Sequence, residues 1–115
     1  MEKLIQIIKI TKNNINDLER TLNSFKSINP ELFRVVIVSG STNNNSEESQ
    51  LVIFYKDFFE IIYKIQIGSG IFAAMNEGIN ASKYGWLQFI NAGDEIIKAD
   101  SIFNNLNNRK YLKYD

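Results

Sequence analysis

The sequence contains no cysteine and no histidine. The first absence excludes a disulfide framework, a thiol nucleophile and a thiolate metal site. The second removes imidazole ligands and the Ser-His-Asp and Cys-His arrangements of nucleophilic catalysis. Any chemistry therefore rests on carboxylates, lysine, tyrosine, hydroxyls, backbone groups or an oxygen-ligated cation, for which Mg²⁺ and Mn²⁺ are the suited metals. Charge of one sign is also lacking: thirteen Lys and Arg balance thirteen Asp and Glu. No net field draws the chain to nucleic acid or to an anionic membrane, and a nucleic-acid partner is not expected. No apolar run reaches the ~18 residues of a membrane-crossing helix. The opening MEKLIQIIKI interrupts its apolar residues with charges and has no small-residue cleavage site, so it does not read as a secretory signal. The expected location is cytoplasmic.

What is present suits one globular unit. At 115 residues, 44% apolar and 23% charged, the chain is long enough for one core and too short for two ordinary ones, so residues 1–115 are read as a single domain. Leu4 to Ile10 is rich in β-branched residues and reads as a buried strand. Leu18, Leu22 and Phe25 then recur at helical spacing, with Ile28 three residues on. Asn14 or Asn16 caps this helix, and Asn29-Pro30, the latter the only proline, ends it. Arg34 to Val38 predicts a second strand running into the turn-rich SGSTNNNS. Ser46 is expected to cap a helix from Glu47 with Leu51, Phe54 and Phe58 on one face, and a third strand is placed at Ile61 to Ile67. Ile71, Met75 and Ile79 recur four residues apart and predict a helix buried along that line, with Ala74 and Ala81 permitting close packing. Trp86 to Ile90 is a fourth strand, and Asp100 or Ser101 starts a short helix through Ile102, Phe103 and Leu106. The terminal NNRKYLKYD is polar enough to fray, or to dock through its aromatic residues. Strands alternating with helices favour a mainly parallel sheet covered on both faces.

Such a sheet gathers its ligand loops beyond the carboxyl ends of the strands, here at 11–14, 39–46 and 91–95. Each loop admits two readings. Asp94 and Glu95, after a buried strand, can bind Mg²⁺ or Mn²⁺ with phosphate oxygens as further ligands, and Gly93 lets the backbone approach; a solvated acidic turn has the same composition. Ser39-Gly40-Ser41-Thr42 offers hydroxyl and backbone donors to nucleotide oxygens or serves as a polar turn, and it matches neither the P-loop nor the dinucleotide fingerprint. Thr11, Lys12, Asn13 and Asn14 form another polar strand end, although a helix cap accounts for Asn14 alone. Ser69-Gly70 precedes a helix whose first N–H groups can face a phosphate, while Gly68 and Gly70 also fit a purely conformational role. Asn76 reads better as solvent-facing than as a ligand, Met75 as core, and Tyr84 and Trp86 as packing residues.

IIKITKNN followed by DLERTLNSF resembles the opening strand and helix of the GT-A-fold, family-2-type glycosyltransferases. VVIVSGSTNNNSEE is similar to their second strand and nucleotide-contacting loop, and GIFAAMNEGINASKYGWLQFINAGDEI to their third segment with its terminal acidic motif. The resemblance implies a three-layer α/β fold with a mainly parallel sheet, the N-terminal half of a nucleotide-diphospho-sugar transferase. It implies a nucleotide-sugar donor and a place in bacterial cell-surface polysaccharide biosynthesis. On the residues, it puts Thr11 and Asn13 beside uridine or a related base, and Ser39, Gly40, Ser41 and Thr42 in the second nucleotide-contacting segment. Asn91 and Asp94 fall on the last motif, with Asp94 the ligand of an Mg²⁺ or Mn²⁺ that bridges the donor diphosphate.

The chain departs from that pattern at Ser39, where an aspartate is usual, at Asn43-Asn44 in place of Asp-Gly, and at Gly68 and Ala73, where acidic residues are common. Family members continue past the acidic motif into an acceptor-binding half that supplies the catalytic base. The sequence ends at Asp115, so it is expected to be a fragment with no catalytic residue of its own, and to meet a saccharide or lipid-linked acceptor only when completed by a further domain. The alternative is a non-catalytic nucleotide-binding or protein-interaction domain of the same descent. A homo-oligomer fits either reading.

Overall fold

The structure, a computed structural model, describes residues 5–42, 45–82, 85–90 and 112–114. Five strands form one sheet: β1 (Ile5–Thr11), β2 (Phe33–Ser39), β3 (Ile61–Ile65), β4 (Gly85–Ile90) and β5 (Leu112–Tyr114), in the order β3-β2-β1-β4-β5. β1 pairs parallel with β2 and β4, and β2 with β3, while β5 runs antiparallel to β4. Between them lie α1 (Ile15–Ser24), α2 (Asn45–Tyr55) and α3 (Ile71–Ser82). The expected α/β class and mainly parallel sheet are what the structure has.

β1 and β2 are buried almost throughout because both faces are covered, and their alternate apolar residues feed two separate cores. Ile5, Ile7, Val35 and Ile37 pack with Leu18, Leu22, Phe25, Val52 and Tyr55 beneath α1 and α2. Ile8, Val36 and Val38 pack with Ala74 and Leu87 beneath α3. Two buried charges join these layers. Lys9 Nζ, on the face of Ile5 and Ile7, donates to Asp17 Oδ2 at 2.8 Å, tying β1 to α1. Arg34, on the opposite face of β2, donates to Gln6 Oε1 at 2.8 Å, to the carbonyl of Ser82 at 2.8 Å and to Glu60 Oε2 at 3.1 Å. That fork fastens the far end of α3 to the middle of the sheet.

Several expectations require correction. β1 and β2 extend to Thr11 and Ser39, so both residues end strands rather than begin loops, and β3 stops at Ile65 instead of Ile67. Asn14, not Asn16, caps α1 by accepting the Asp17 N–H at 3.1 Å. The helix gives way at Phe25 to a 3-10 turn through Ser27, well before Asn29-Pro30. α2 starts at Asn45, ahead of the expected Ser46 cap, and buries Glu48, Val52 and Tyr55. Phe54 and Phe58 remain 55% and 40% exposed. The buried line of α3 is Ala74, Gly78 and Ser82, and Ile71 is 57% exposed. The cause is contact distance: a Cβ at Gly78 would lie 2.6 Å from Ile8 Cγ2, so the small residues face the sheet and the larger ones move to the flanks. At the other end of the chain Leu112–Tyr114, expected to fray or dock, pairs with β4. The short helix read after Asp100 lies outside the described residues.

Candidate functional site

The carboxyl ends of β1, β2 and β3 bring three loops together, and backbone bonds prolong the sheet into them. The Gly40 N–H donates to the carbonyl of Thr11 at 2.8 Å, and the Gln66 N–H to that of Ser39 at 2.7 Å. Asn13 has a positive φ of 50°, a conformation that asparagine tolerates better than most residues. In that position its N–H donates to Ser41 Oγ at 2.7 Å and its Oδ1 accepts the Thr42 N–H at 2.9 Å. The first and second loops are therefore stitched to one another.

Behind the second loop stands Glu48, fully buried. It accepts from Ser39 Oγ at 2.6 Å, from Tyr63 OH at 2.8 Å and from Ser41 Oγ. Burial and the bond to this carboxylate together push the Tyr63 phenol above its ordinary pKa. The third loop is shaped by side chains of its own. Gln66 Nε2 donates to the carbonyls of Gly68 at 2.7 Å and Gly70 at 3.0 Å, and Gly70 takes the left-handed φ of 88° that opens α3. Glu77 reaches back from α3 to accept the N–H groups of Ile67 and Gly68, each at 2.9 Å.

Between the loops is a cleft of about 360 Å³. Thr11, Lys12 and Gly40 line one side, Gln66, Ser69 and Gly70 the other, and Ala74 lies at its base. The first N–H groups of α3 lack intrahelical acceptors and carry the positive end of the helix dipole. Thr11 Oγ1 is buried without a hydrogen-bond partner among the described residues. Lys12 adds a positive charge at the mouth.

The structure places the sequence candidates unequally. Thr11 and Gly40 line the cleft, while Asn13 and Thr42 are exposed, joined to each other, and do not line it. Ser39 and Ser41 are buried, and their hydroxyls point at Glu48. Asn91 and Asp94 lie outside the described residues. Sequence reasoning weighed Lys12 without selecting it and missed Gln66, Glu48 and Glu77. Gln66 had one visible signal, a polar residue straight after an apolar strand. Glu48 and Glu77 had none, since both look like ordinary helix-surface acids. Among the described residues no three acidic, histidine or cysteine side chains come together as a metal site. Those residues do not by themselves fit a divalent cation. No helix among them is long and apolar enough to cross a membrane.

The clamp by Glu77 makes the third loop pH-dependent. The Ile67 and then the Gly68 N–H hold its carboxyl below the ordinary range, outweighing a small opposing desolvation, and Lys64 adds to the lowering. Because these bonds favour the ionised form, the clamp is complete above the unfolded-state pKa and is lost as pH falls through the lowered folded value. Amide proton shifts of Ile67 and Gly68 should titrate together in that acid range, and Glu77→Gln should abolish the titration. Shifts that titrate unchanged in the variant would show that another group controls the loop.

A cleft at the carboxyl edge of a mainly parallel, helix-covered sheet defines an α/β ligand-binding domain. Residues 6–102 match glycosyl transferase family 2, and the chain belongs to that family. No curated protein matches it. Among solved structures, residues 1–349 of TarS from S. aureus superpose with a TM-score of 0.75 at 19% identity, covering 93% of this chain and 32% of that one. The same protein in complex with UDP-GlcNAc gives 0.72 at 19% identity, covering 93% and 30%. The mannosyltransferase PcManGT from Pyrobaculum calidifontis, in complex with GDP-Man and Mn²⁺, gives 0.69 at 16% identity, covering 92% and 32%. At such identities the likeness is one of fold. The chain spans about a third of the length of these solved chains.

Proposed function

We propose that this chain is the nucleotide-sugar-binding part of a glycosyltransferase, residues 1–115 acting as one donor domain, and that the cleft receives the donor's nucleoside diphosphate. The observation that carries this reading is the convergence, in one cleft, of Lys12, Gln66 and the amino end of α3, with Thr11 and Gly40 beside them. Lys12 and the α3 N–H groups suit phosphate oxygens. Thr11 and Gln66 suit the ribose or base. The described part of the site thus binds and orients. None of its residues is assigned the removal of a proton from an acceptor hydroxyl, and that step belongs to an acceptor-binding region elsewhere in the complete protein.

Asp94, four residues beyond the end of β4, is the proposed ligand for Mg²⁺ or Mn²⁺, with Asn91 beside it in sequence. Such a cation supplies charge neutralisation to a leaving diphosphate. The solved complexes with UDP-GlcNAc and with GDP-Man and Mn²⁺ support this reading of the fold. A saccharide or lipid-linked acceptor, and a role in bacterial cell-surface polysaccharide assembly, complete the proposal.

Calorimetry of the full chain with UDP and with GDP, in Mn²⁺ and in chelator, tests it. Saturable, cation-dependent binding of at least one nucleotide is expected. Lys12→Ala should weaken it about fivefold, the upper end for an ion pair in contact with solvent. Asp94→Ala should remove the cation dependence while leaving thermal unfolding in place. Absence of saturable binding for both nucleotides in Mn²⁺ would overturn the reading.

A further inference from the structure

We infer that Glu48 is a positioning residue for the nucleotide loops: without touching the ligand, its carboxylate sets the direction of the hydroxyl bonds that hold Ser39–Thr42 and Asn13 together. The inference rests on the proposed nucleotide-binding reading of the cleft. Glu48 is fully buried, and no Lys or Arg among the described residues pairs with it. Three hydroxyls surround it instead. All three hydroxyls donate to its two oxygens, so Ser39 and Ser41 each direct their single proton at it.

Their oxygens are then left as acceptors, and both are used in that sense. Ser39 Oγ accepts the Ser41 N–H at 3.2 Å, and Ser41 Oγ accepts the Asn13 N–H at 2.7 Å. A relay runs from α2 through the end of β2 to the loop after β1. Its last member is the residue with the positive φ, and the two residues before it, Thr11 and Lys12, line the cleft. Glutamine at position 48 keeps the volume and breaks the polarity. Its amide offers one acceptor oxygen and one donor nitrogen, so at least one hydroxyl must turn its proton away. If Ser41 turns, its proton competes with the Asn13 N–H for the same space.

The test follows amide hydrogen exchange by NMR and UDP or GDP affinity by calorimetry in Mn²⁺, on the full chain and on Glu48→Gln, Ser41→Ala and the double variant. Exchange of the Asn13 amide, without ligand, should rise about tenfold in each single variant, as for loss of one buried hydrogen bond. Nucleotide affinity should fall five- to tenfold in each, and the double variant should be no weaker than the weaker single, because both changes cut one relay. A purely structural role would lower the melting temperature with additive or absent effects on affinity. Should Glu48→Gln fail to fold, Ser41→Ala reports on the same relay. Unchanged Asn13 exchange, or additive affinity losses, would overturn the inference. If the unaltered chain binds neither nucleotide, the proposed function fails, while the ligand-free exchange still decides whether Glu48 holds Asn13.

Discussion

Replacing Lys9 by methionine should destabilise the protein by about 3 kcal/mol, the cost of leaving a buried charge without its partner. Lys9 and Asp17 have side-chain exposures of 0% and 6% and meet at 2.8 Å. In Lys9→Met the stem is kept and the ammonium removed, so a carboxylate is left between β1 and α1. Arg20 lies 3.7 Å from the other Asp17 oxygen but is 58% exposed, and a mobile, solvated guanidinium compensates little. Urea unfolding should show a lower midpoint with an unchanged slope, the mark of a stability change without a change in the surface exposed. The double variant Lys9→Met, Asp17→Asn should recover most of the loss, since the charge itself is then gone. A loss below about 1 kcal/mol in the single variant would mean that Asp17 reaches water or another cation when Lys9 is absent.

Gly78→Leu should cost at least about 3 kcal/mol, at or beyond the upper end of ordinary overpacking. In the interior of an exposed helix, replacing glycine by alanine stabilises by about 1 kcal/mol. Position 78 is not such a place. Even a Cβ there would lie 2.6 Å from Ile8 Cγ2 and 3.5 Å from Val38 Cγ2, and both side chains are fully buried. Gly78→Ala is therefore expected to lose about 1 kcal/mol, the steric cost exceeding the propensity gain. Gly78→Leu must push α3 away from the sheet. Because Ile71 and Ala74 line the cleft from the same helix, nucleotide affinity should fall with stability. Asn80→Ala, on the exposed face of α3, should instead raise the melting temperature slightly. A Gly78→Ala protein more stable than the parent would show that α3 can shift at no cost.

Both predictions concern side chains whose importance a linear reading does not reveal. The runs Ile5–Thr11 and Phe33–Ser39 carry apolar residues at both odd and even positions, and only a strand covered on both faces calls for that. Lys9 and Arg34 look like breaks in these runs. Their partners lie 8 residues away for Lys9, and 28, 26 and 48 away for Arg34, and nothing local announces them. The site divides in the same way. That the ends of β1 and β2 would converge was legible from the alternation of strands and helices; the third loop expected with them, 91–95, lies outside the described residues, and the third loop found follows β3. That Ser39 and Ser41 would turn inward to Glu48, leaving Thr11, Lys12 and Gln66 on the cleft, was not, because a hydroxyl in a turn-rich segment has the same signature whether it faces ligand or protein.

The sequence by itself determined the order of the elements through β4 and the mainly parallel sheet covered on both faces, and it narrowed the cap of α1 to Asn14 or Asn16, because hydrophobic period and capping chemistry act over a few neighbouring residues. Tertiary structure alone decided which line of each helix is buried. In α3 the line Ile71, Met75, Ile79 and the line Ala74, Gly78, Ser82 have the same four-residue spacing, so periodicity cannot separate them. The distance between helix and sheet does, by admitting the line without bulk. It decided too that Leu112–Tyr114 pairs with Gly85–Leu87, since a short polar segment becomes a strand only where an edge is there to receive it.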